Sequence, residues 1–407
     1  MNKIIPFSLN EIKKIKHDTP FYIYDEKGII SSLNELKNSF NWCKFKEFFA
    51  VKATPTPYIL NLLKKNECGM DCSSLTELLL AQCIDSKDIM FTSNNTPMKE
   101  YQKAKELNAI INFDDIDHID KFNKKFGMPK IASIRYTPNN IYGNKIIGFS
   151  ENSKFGMPLE KLLIGYQKLK NLNVKIFGLH GMLVSNSLNE IEIIKNIELL
   201  FKTAKKIKDE LNINLKFIDI GGGFGIPYNP KEEPLNLSLI SKELKKLYKE
   251  ILEKNNIFPE IYSENGRYVT GPHGYLITKV LHIKKSYKTY IGVDANMANL
   301  MRPGMYGAYH HITVLNNSKK LKKYDVVGSL CENNDKFAID RELPEINEGD
   351  YLVIHDVGAH GHSMGFNYNG KLRSAEFIYS NNEFKLIRRA QTIEEYFSTI
   401  KGDDIYV

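Results

Sequence analysis

The sequence predicts two domains, an α/β domain built as a TIM-like (β/α)8 barrel and an all-β domain. With 407 residues, the chain is too long for one ordinary hydrophobic core. Short apolar runs alternate with amphipathic helical stretches over the first two thirds of the chain, whereas strand-like runs follow one another closely after residue 270. We therefore expect the barrel to span residues 26–270. Residues 1–25 and 271–407 are expected to form a β-sandwich or β-barrel domain.

Seven apolar runs in the first region have the length and composition of buried strands. They are FFAVKA, IMFTS, AIINFD, IASIRYT, KIFGLHGML, LKFIDIGGG and EIYSENG. Helical patterns such as SLTELLLAQC and MKEYQKAKEL lie between them. So many β–α units in one region favour a closed parallel barrel over an open sheet.

Six further runs predict the strands of the second region, with turn residues between them. They are TKVLHIKKS, KTYIGV, HHITVLN, YDVVGSL, DYLVIHDVG and EFKLIRRA. Long amphipathic helices are rare here, so the pattern indicates an all-β domain rather than more of the barrel.

Composition excludes several classes of protein. Hydrophobic residues make up 42% of the chain and charged residues 26%, which is typical of a globular protein. The net charge of +8 is spread over lysine-rich helix faces, so we expect no nucleic-acid partner. No apolar run approaches the length of a membrane span, and the N-terminus lacks a signal-like apolar segment; we expect a mature cytoplasmic protein. The five cysteines lack the spacing of a zinc site or a disulfide framework, so no metal is predicted.

Lys52 directly follows the apolar run FFAV. In a barrel, the carboxyl ends of the strands form the active face, so this amine is expected at the site. An amine in an apolar environment has a lowered pKa and can form a Schiff base with a carbonyl group. The alternative is an ordinary surface lysine at the end of a strand.

Two glycine-containing turns follow later strands. Gly221, Gly222 and Gly223 come after LKFIDI, and their backbone could approach a phosphate closely. The segment Glu264–Arg267, with a glycine at its third position, follows EIYS. Neither segment has the spacing of a dinucleotide-binding motif, and a tight turn is the structural alternative for the first.

A third cluster surrounds Cys331 in the sequence GSLCENND. A thiol beside an acid and two amides, between strand-like runs, could donate a proton or act as a nucleophile. A buried structural cysteine is the alternative.

Taken in their order along the chain, these segments resemble the fold-type III pyridoxal phosphate decarboxylases, and most of all the diaminopimelate decarboxylases. The resemblance runs from FYIYD at 21–25 to the Tyr-Asn pair at 368–369 and includes GMDCSSLTELLLA, NSKFGM, VDANMANLMRPGMYGAYH and CENND. It implies pyridoxal 5′-phosphate as cofactor, a small amino acid as substrate, and a homodimer with shared active sites.

The resemblance also implies a role for individual residues. Lys52 matches the lysine that carries the cofactor, and Glu264 matches the acid at its ring nitrogen. Cys331 and Glu332 match groups that act in the partner's site, and Cys331 would donate the proton that replaces CO2. The remaining matches are cofactor contacts at Asp71, Ser185, Gly221, Gly222, Gly223, Gly266, Arg267 and Tyr368, and substrate contacts at Arg267, Arg302, Tyr306, Glu332 and Tyr368.

The sequence departs from the family pattern at positions expected near the substrate. Met182 stands where a histidine usually stacks on the cofactor ring, and His180 lies two residues earlier on the same strand face. The usual Cys-Glu-Ser-Gly-Asp has Asn333 and Asn334 at its third and fourth positions, and His360 replaces a tyrosine. These departures leave the substrate less certain than the reaction.

The expected reaction is decarboxylation of meso-2,6-diaminopimelate to L-lysine. The alternative within the family is a decarboxylase for D-lysine, D-ornithine or another basic amino acid, although Arg302 and Tyr306 favour a substrate with a distal carboxylate. A racemase of this fold would place an arginine at the ring nitrogen, where this chain has Glu264. A non-catalytic regulator with the same fold would have lost Lys52 or Cys331, and both are present.

Overall fold

The computed structural model describes residues 3–138 and 153–400. Asn152, the first residue of the NSKFGM stretch, lies outside these ranges. The chain divides into two compact units. The strand unit comprises Met1–Ile29, Pro227–Glu233 and Val269–Val407, and the barrel unit comprises Ile30–Ile226 and Pro234–Tyr268.

Among the described residues, nine strands lie in the first two thirds of the chain. The first of them belongs to the strand unit, and the other eight close a parallel barrel in chain order, with the last paired to the first. Their bounds are β1 (Phe21–Asp25), β2 (Phe45–Ala50), β3 (Gly69–Cys72), β4 (Ile89–Thr92), β5 (Ile110–Phe113), β6 (Ile131–Arg135), β7 (Ile176–His180), β8 (Leu215–Asp219) and β9 (Glu260–Ser263).

Helices connect the barrel strands, as parallel pairing requires. Polar caps define several of their starts; for example, the Ser74 side chain accepts a hydrogen bond from the Glu77 amide at 3.3 Å. The helices up to residue 270 are α1 (Leu9–Ile12), α2 (Glu26–Ser39), α3 (Pro57–Lys65), α4 (Leu75–Cys83), α5 (Met98–Glu106), α6 (Ile116–Phe126), α7 (Leu159–Asn171), α8 (Glu190–Leu211), α9 (Leu237–Leu247) and α10 (Gly266–Thr270).

The strand unit contains a nine-stranded mixed sheet in the order β14-β13-β11-β10-β1-β16-β17, with β15 beside β10 and β12 beside β15. Strand β1 runs antiparallel to β10 and parallel to β16. The additional elements are β10 (Gly274–Lys285), β11 (Thr289–Val293), β12 (Ile312–Val314), β13 (Leu321–Val327), β14 (Lys336–Pro344), β15 (Tyr351–Ile354), β16 (Ala375–Ser380), β17 (Glu383–Arg388), α11 (Arg302–Tyr306) and α12 (Ile393–Phe397).

The predicted fold class, a (β/α)8 barrel with a second domain of strands, is confirmed. The boundaries at residues 26 and 270 stay a prediction, because α2 and α10 each begin in one unit and end in the other. The segment Pro227–Glu233, which the sequence assigned to the barrel, groups with the strand unit. Among the described residues, no helix combines the length and apolarity needed to cross a membrane.

Candidate active site

Lys52 lies at the carboxyl end of β2, where the chain leaves the strand through the 3-10 turn Val51–Ala53. The neighbouring strand places Asp71 opposite Ala50 in the barrel register. This brings the Lys52 amine 3.2 Å from the Asp71 carboxylate. The lysine side chain is 49% exposed, whereas the Asp71 side chain is fully buried, so the lysine can be reached by a ligand.

Electrostatics at Lys52 differ from the sequence-based expectation. Burial lowers the pKa of the amine, but Asp71, Glu264 and Glu77 together outweigh burial, and the net pKa of Lys52 is raised. The expectation of a lowered pKa was therefore wrong, because the surroundings are acidic rather than apolar. Burial and the charge of Glu264 raise the pKa of Asp71 to about 7.

Glu264 follows β9 and is buried. Its Oε2 lies 3.3 Å from Nε2 of His180, the last residue of β7. Its Oε1 accepts a longer hydrogen bond, of 3.4 Å, from the Thr92 hydroxyl at the end of β4. The carboxylate is therefore held by side chains from two other strand ends.

Glu264 stays ionised despite its burial. Burial alone would raise its pKa, but His180, Lys52 and Arg135 lower it to about 2. Arg135 ends β6, is itself buried, and stacks on Phe155 with its guanidinium carbon 4.4 Å from the ring centre. The site thus stabilises the ionised form of Glu264, and this charge raises the pKa of the neighbouring Asp71 and Asp219.

Two further carboxyl groups lie deep in the barrel unit. Burial raises the pKa of Asp219 well above its ordinary value and that of Glu47 to about 8. Asp219 Oδ1 accepts a hydrogen bond from the Gly221 amide at 2.8 Å, while Oδ2 has no partner among the described residues. Glu47 accepts hydrogen bonds from the Ser263 hydroxyl and the Asn265 amide.

Ligand atoms of His180, Asp219 and Glu264 lie within 4.8 Å of one another, which is close enough for a metal ion. The positive charges of Lys52 and Arg135 also act on Glu264. A divalent cation would have to displace or tolerate these two cations, so the electrostatics favour an uncharged or monocationic group over a metal.

Glycine is required where the loops after β8 and β9 meet. Gly222 lies against the Glu264 carbonyl, where any Cβ would clash, and Gly223 has a φ of +94°. A Cβ on Gly266 would come within 2.6 Å of the Ala53 side chain, beside Lys52. These loops therefore offer bare backbone next to the amine and the carboxylate, a surface suited to a phosphate.

The other predicted cofactor contacts of the barrel unit lie in the same loops. Ser185 is half-buried in the segment after β7, and Arg267 is the second residue of α10. Met182 accepts a hydrogen bond on its sulfur from the Gly222 amide at 3.2 Å. The barrel unit thus brings together Lys52, Asp71 and Glu264 with the glycine loops.

In the strand unit, Cys331 and Glu332 are exposed on the loop between β13 and β14. Asp335 anchors this loop: its two carboxylate oxygens accept hydrogen bonds from the Met297 and Leu330 amides at 2.6 and 2.8 Å. A buried carboxylate bonded to two backbone amides fixes the conformation of the loop. The alternative of a buried structural Cys331 does not hold.

Two other predicted segments adjoin this loop. The Cys331 amide donates a hydrogen bond to the side chain of Asn369, next to Tyr368, at 2.8 Å. Gly304 in α11 packs so tightly that a Cβ would lie 2.6 Å from the Asn334 carbonyl. Exposed Cys331, Tyr306 and Tyr368 therefore lie on three adjoining segments of the strand unit.

Arg302, the first residue of α11, is buried. Its Nη1 donates to Nε2 of His310 at 3.1 Å, and the His310 Nδ1–H donates to the His355 carbonyl at 2.8 Å. The guanidinium also stacks on Tyr228, 4.6 Å from the ring centre. These contacts fix the orientation of the guanidinium before any ligand binds.

Sequence reasoning missed the contributions of His180, Asp219 and Arg135. Each is a polar residue at the end of a barrel strand, and this combination was the signal available in the sequence. Their contacts depend on which strands are neighbours and on the register between them, which the sequence alone does not give.

Together these groups can bind a compact anionic cofactor with a basic ring nitrogen. The Lys52 amine can attach a carbonyl carbon, Glu264 can bind a protonated nitrogen, and the glycine loops can bind a phosphate. Pyridoxal phosphate has all three features, so the residues present fit this cofactor.

Comparisons with known proteins agree. A family model described as pyridoxal-dependent decarboxylase, pyridoxal binding domain, matches residues 26–271. Protein TabA of Pseudomonas amygdali pv. tabaci is 39% identical over 96% of this chain and 93% of its own. Diaminopimelate decarboxylase of Methanothermobacter thermautotrophicus is 33% identical over 93% of this chain and 91% of its own.

Solved structures give the same result. Diaminopimelate decarboxylase from M. jannaschii superposes with a TM-score of 0.91 at 28% identity, covering 97% of this chain and 94% of its own. The Helicobacter pylori enzyme, complexed with L-lysine, gives 0.88 at 30% identity, with coverages of 96% and 98%. The chain therefore belongs to the pyridoxal-dependent decarboxylases and is a carboxy-lyase that uses pyridoxal phosphate.

Proposed function

We propose that this enzyme decarboxylates meso-2,6-diaminopimelate to L-lysine and CO2, the last step of lysine biosynthesis. The observation that carries the proposal is the likeness, over nearly the full length of both chains, to enzymes named diaminopimelate decarboxylase. One of these was crystallised with L-lysine, the expected product.

In this proposal, the barrel unit holds the cofactor. Pyridoxal phosphate, when bound, supplies an electron sink for the pair left behind by the departing CO2. Lys52 would attach it, and Glu264 would accept a hydrogen bond from its ring nitrogen. Asp71 would keep the Lys52 amine oriented before attachment. The glycine loops, with Ser185 and Arg267, would bind the phosphate.

The substrate's distal end needs a separate anchor, because only the carboxylate at the reacting carbon should leave. Arg302, held by His310 and Tyr228, presents a fixed guanidinium suited to a carboxylate. The Tyr306 hydroxyl, from the same short helix, would add a second donor. A substrate that lacks the distal carboxylate would not make this contact.

We further propose that the enzyme is a homodimer in which Cys331 and Glu332 act in the partner's site. Support comes from the fixed loop that exposes both residues, together with exposed Tyr306 and Tyr368. The Cys331 thiol would deliver the proton that replaces CO2, and Glu332 and Tyr368 would contact substrate or cofactor.

A second candidate is a related decarboxylase for D-lysine, D-ornithine or another basic amino acid. It is favoured by Met182, whose sulfur lies against Gly222 in place of a histidine ring, and by the non-family residues Asn333, Asn334 and His360. The similarity to Protein TabA, whose name specifies no substrate, does not decide between the two.

Initial rates of CO2 release from meso-diaminopimelate, D-lysine and D-ornithine distinguish the candidates. We expect a preference of about 10²-fold or more in kcat/KM for meso-diaminopimelate, because the others lack the distal carboxylate that Arg302 is proposed to bind. Equal or better turnover of D-lysine or D-ornithine would replace the first proposal with the second.

A further inference from the structure

His180 has no role in the proposed chemistry, yet it is among the most completely enclosed polar side chains of the barrel unit. Its exposure is 0%, and it ends β7 beside Asp219 of β8 in the strand register. Burying an imidazole costs free energy unless its nitrogens are bonded. Nδ1 has no partner among the described residues, so the contact of Nε2 with Glu264 is its main compensation.

The direction of this hydrogen bond follows from the chemistry of its partners. An ionised carboxylate has no hydrogen to donate, so Nε2 carries the proton and donates it to Glu264 Oε2 across 3.3 Å. The other oxygen, Oε1, has only the longer 3.4 Å contact with Thr92. Both oxygens are therefore held by the protein, Oε2 by the imidazole and Oε1 by a neutral hydroxyl.

The surroundings of Glu264 explain why it needs such a donor. Asp71 and Asp219 are buried around it, and the charge on Glu264 raises the pKa of both. Ionisation of one of these carboxyl groups disfavours ionisation of the others, because they share one low-dielectric region. Among the groups that lower the pKa of Glu264, His180 is the largest, ahead of Lys52 and Arg135.

We propose that His180 is a positioning residue that acts through Glu264: its Nε2–H fixes the orientation of the carboxylate that is proposed to contact the cofactor. The inference concerns the cofactor end of the site and holds whichever amino acid is the substrate. It rests on the proposed contact between Glu264 and the cofactor's ring nitrogen.

Two substitutions separate the hydrogen bond from the ring. His180→Gln keeps an amide N–H near the position of Nε2, and His180→Leu removes the donor while keeping the volume. The matched control is His118→Gln, because His118 and His180 are the only histidines within residues 30–226 and 234–268. His118 lies on α6 and contacts Tyr101, with ring centres 5.8 Å apart.

We expect His180→Leu to lose about 10- to 100-fold in kcat, with KM changed less than about threefold, because a donor to a buried charge is lost. His180→Gln should recover most of that loss. Since Glu264 then ionises at higher pH, the acid limb of the kcat profile should move to higher pH in His180→Leu. His118→Gln should match the wild type in every measurement.

A double-mutant cycle tests whether His180 acts through Glu264. In a Glu264→Gln background, His180→Leu should lower kcat further by less than about threefold, because the carboxylate that His180 positions is absent. Independent, additive losses would overturn the proposal. Activity retained in Glu264→Gln alone would instead refute the proposed contact of Glu264, so the two failures are distinguishable.

A measurement on the full-length chain without cofactor supplies a readout other than activity. With histidine labelled by ¹⁵N, the ring spectrum should show hydrogen on Nε2 of His180, assigned by its loss in His180→Gln. A ring with hydrogen on Nδ1 only would overturn the proposal. Thermal melting of each variant identifies misfolding; if His180→Leu is unstable, His180→Gln and the spectrum still decide.

Discussion

Two buried carboxylates of the strand unit, Glu376 and Asp335, are surrounded differently from two of the barrel unit, Asp71 and Asp219. In the strand unit, Glu376 accepts a hydrogen bond from the Tyr24 hydroxyl on one oxygen, at 2.5 Å, and from Arg388 on the other. Asp335 is likewise bonded on both oxygens, by two backbone amides. These two acids serve the fold of their own unit.

In the barrel unit, Asp71 Oδ1 and Asp219 Oδ2 are buried without partners among the described residues. A buried oxygen left unbonded costs on the order of 1–3 kcal/mol, so its retention calls for an explanation. Incomplete bonding alone does not mark a site, because Asp325 Oδ2 of the strand unit also has no hydrogen-bond partner among the described residues. The two barrel aspartates differ in their position, since Asp71 lies beside Lys52 and Asp219 lies beside Glu264, where the cofactor is proposed to bind. Each prediction below tests one side of this comparison.

The largest effect is expected at Lys52, because it is the proposed attachment point of the cofactor in the barrel unit. Lys52→Ala should lower activity by about 10⁴-fold or more. Borohydride reduction of the wild type should fix the cofactor on the peptide that contains Lys52. Lys46→Ala, on the same strand and paired with Asp88 at 2.6 Å, is the control and should stay active. A fixed cofactor on any other peptide refutes the assignment.

The Cys331→Ala variant tests whether the exposed loop of the strand unit takes part in the reaction. Cys331→Ala should lose about 10²- to 10³-fold in kcat, the range for a missing general acid. Cys83→Ala removes another exposed cysteine, in the barrel unit, and should have no effect.

Mixing the Lys52→Ala and Cys331→Ala proteins tests the shared site. After subunit exchange, about half of the dimers are mixed and each has one intact site, so about a quarter of the wild-type activity should return. If mass spectrometry demonstrates subunit exchange and activity still does not return, a site shared between subunits is excluded.

Arg302 differs from the acids above because it is a buried cation whose orientation is fixed by a hydrogen bond to His310 and by stacking on Tyr228. Arg302→Ala should reduce kcat/KM for meso-diaminopimelate by about 10²-fold, and Arg302→Lys should recover little because the guanidinium fork is lost. Any weak activity on D-lysine should fall less. Arg389→Ala, at an exposed ion pair with Glu395, is the control. Equal losses of kcat/KM on both substrates would show that Arg302 has a structural role only.

The smallest effect concerns stability. Burial lowers the pKa of His355 to about 3, so the folded state keeps it neutral while the unfolded state binds a proton below about pH 6.5. Stability should therefore fall as the pH drops from 6.5 toward 3, by about 2 kcal/mol at pH 5 from this residue. His355→Gln, which retains a donor toward Thr313, should lose less stability between pH 7.5 and 5 in urea unfolding. A parallel decline in both proteins would refute this assignment.

Much of the fold could be predicted because hydrophobic alternation is local. The pattern missed β3, since Gly69–Cys72 is short, contains a buried aspartate and has no β-branched residue. It also missed β14 and β16, whose apolar residues are interrupted by charges. Strand position and resemblance indicated Lys52 and Glu264, which the structure brings into one cluster.

The hydrogen bond between His180 and Glu264 could not be predicted, because it joins the ends of two strands that are separated by β8 in the barrel. Its existence depends on register and on how far each side chain reaches. The net charge around Lys52 could not be predicted either, since it depends on which carboxylates share the buried space.

The pairing of β1 with β16 has a consequence for how the chain is made. Phe21 lies opposite Ala375, so β1 is synthesised long before this partner strand. Its other neighbour, β10, also emerges only after all eight barrel strands. A nascent chain that extends to residue 270 would carry a complete barrel segment and an apolar FYIYD strand with both edges open. Such an edge invites pairing with other chains, so the period before residue 380 is synthesised is when this protein is most prone to aggregate and most in need of a chaperone.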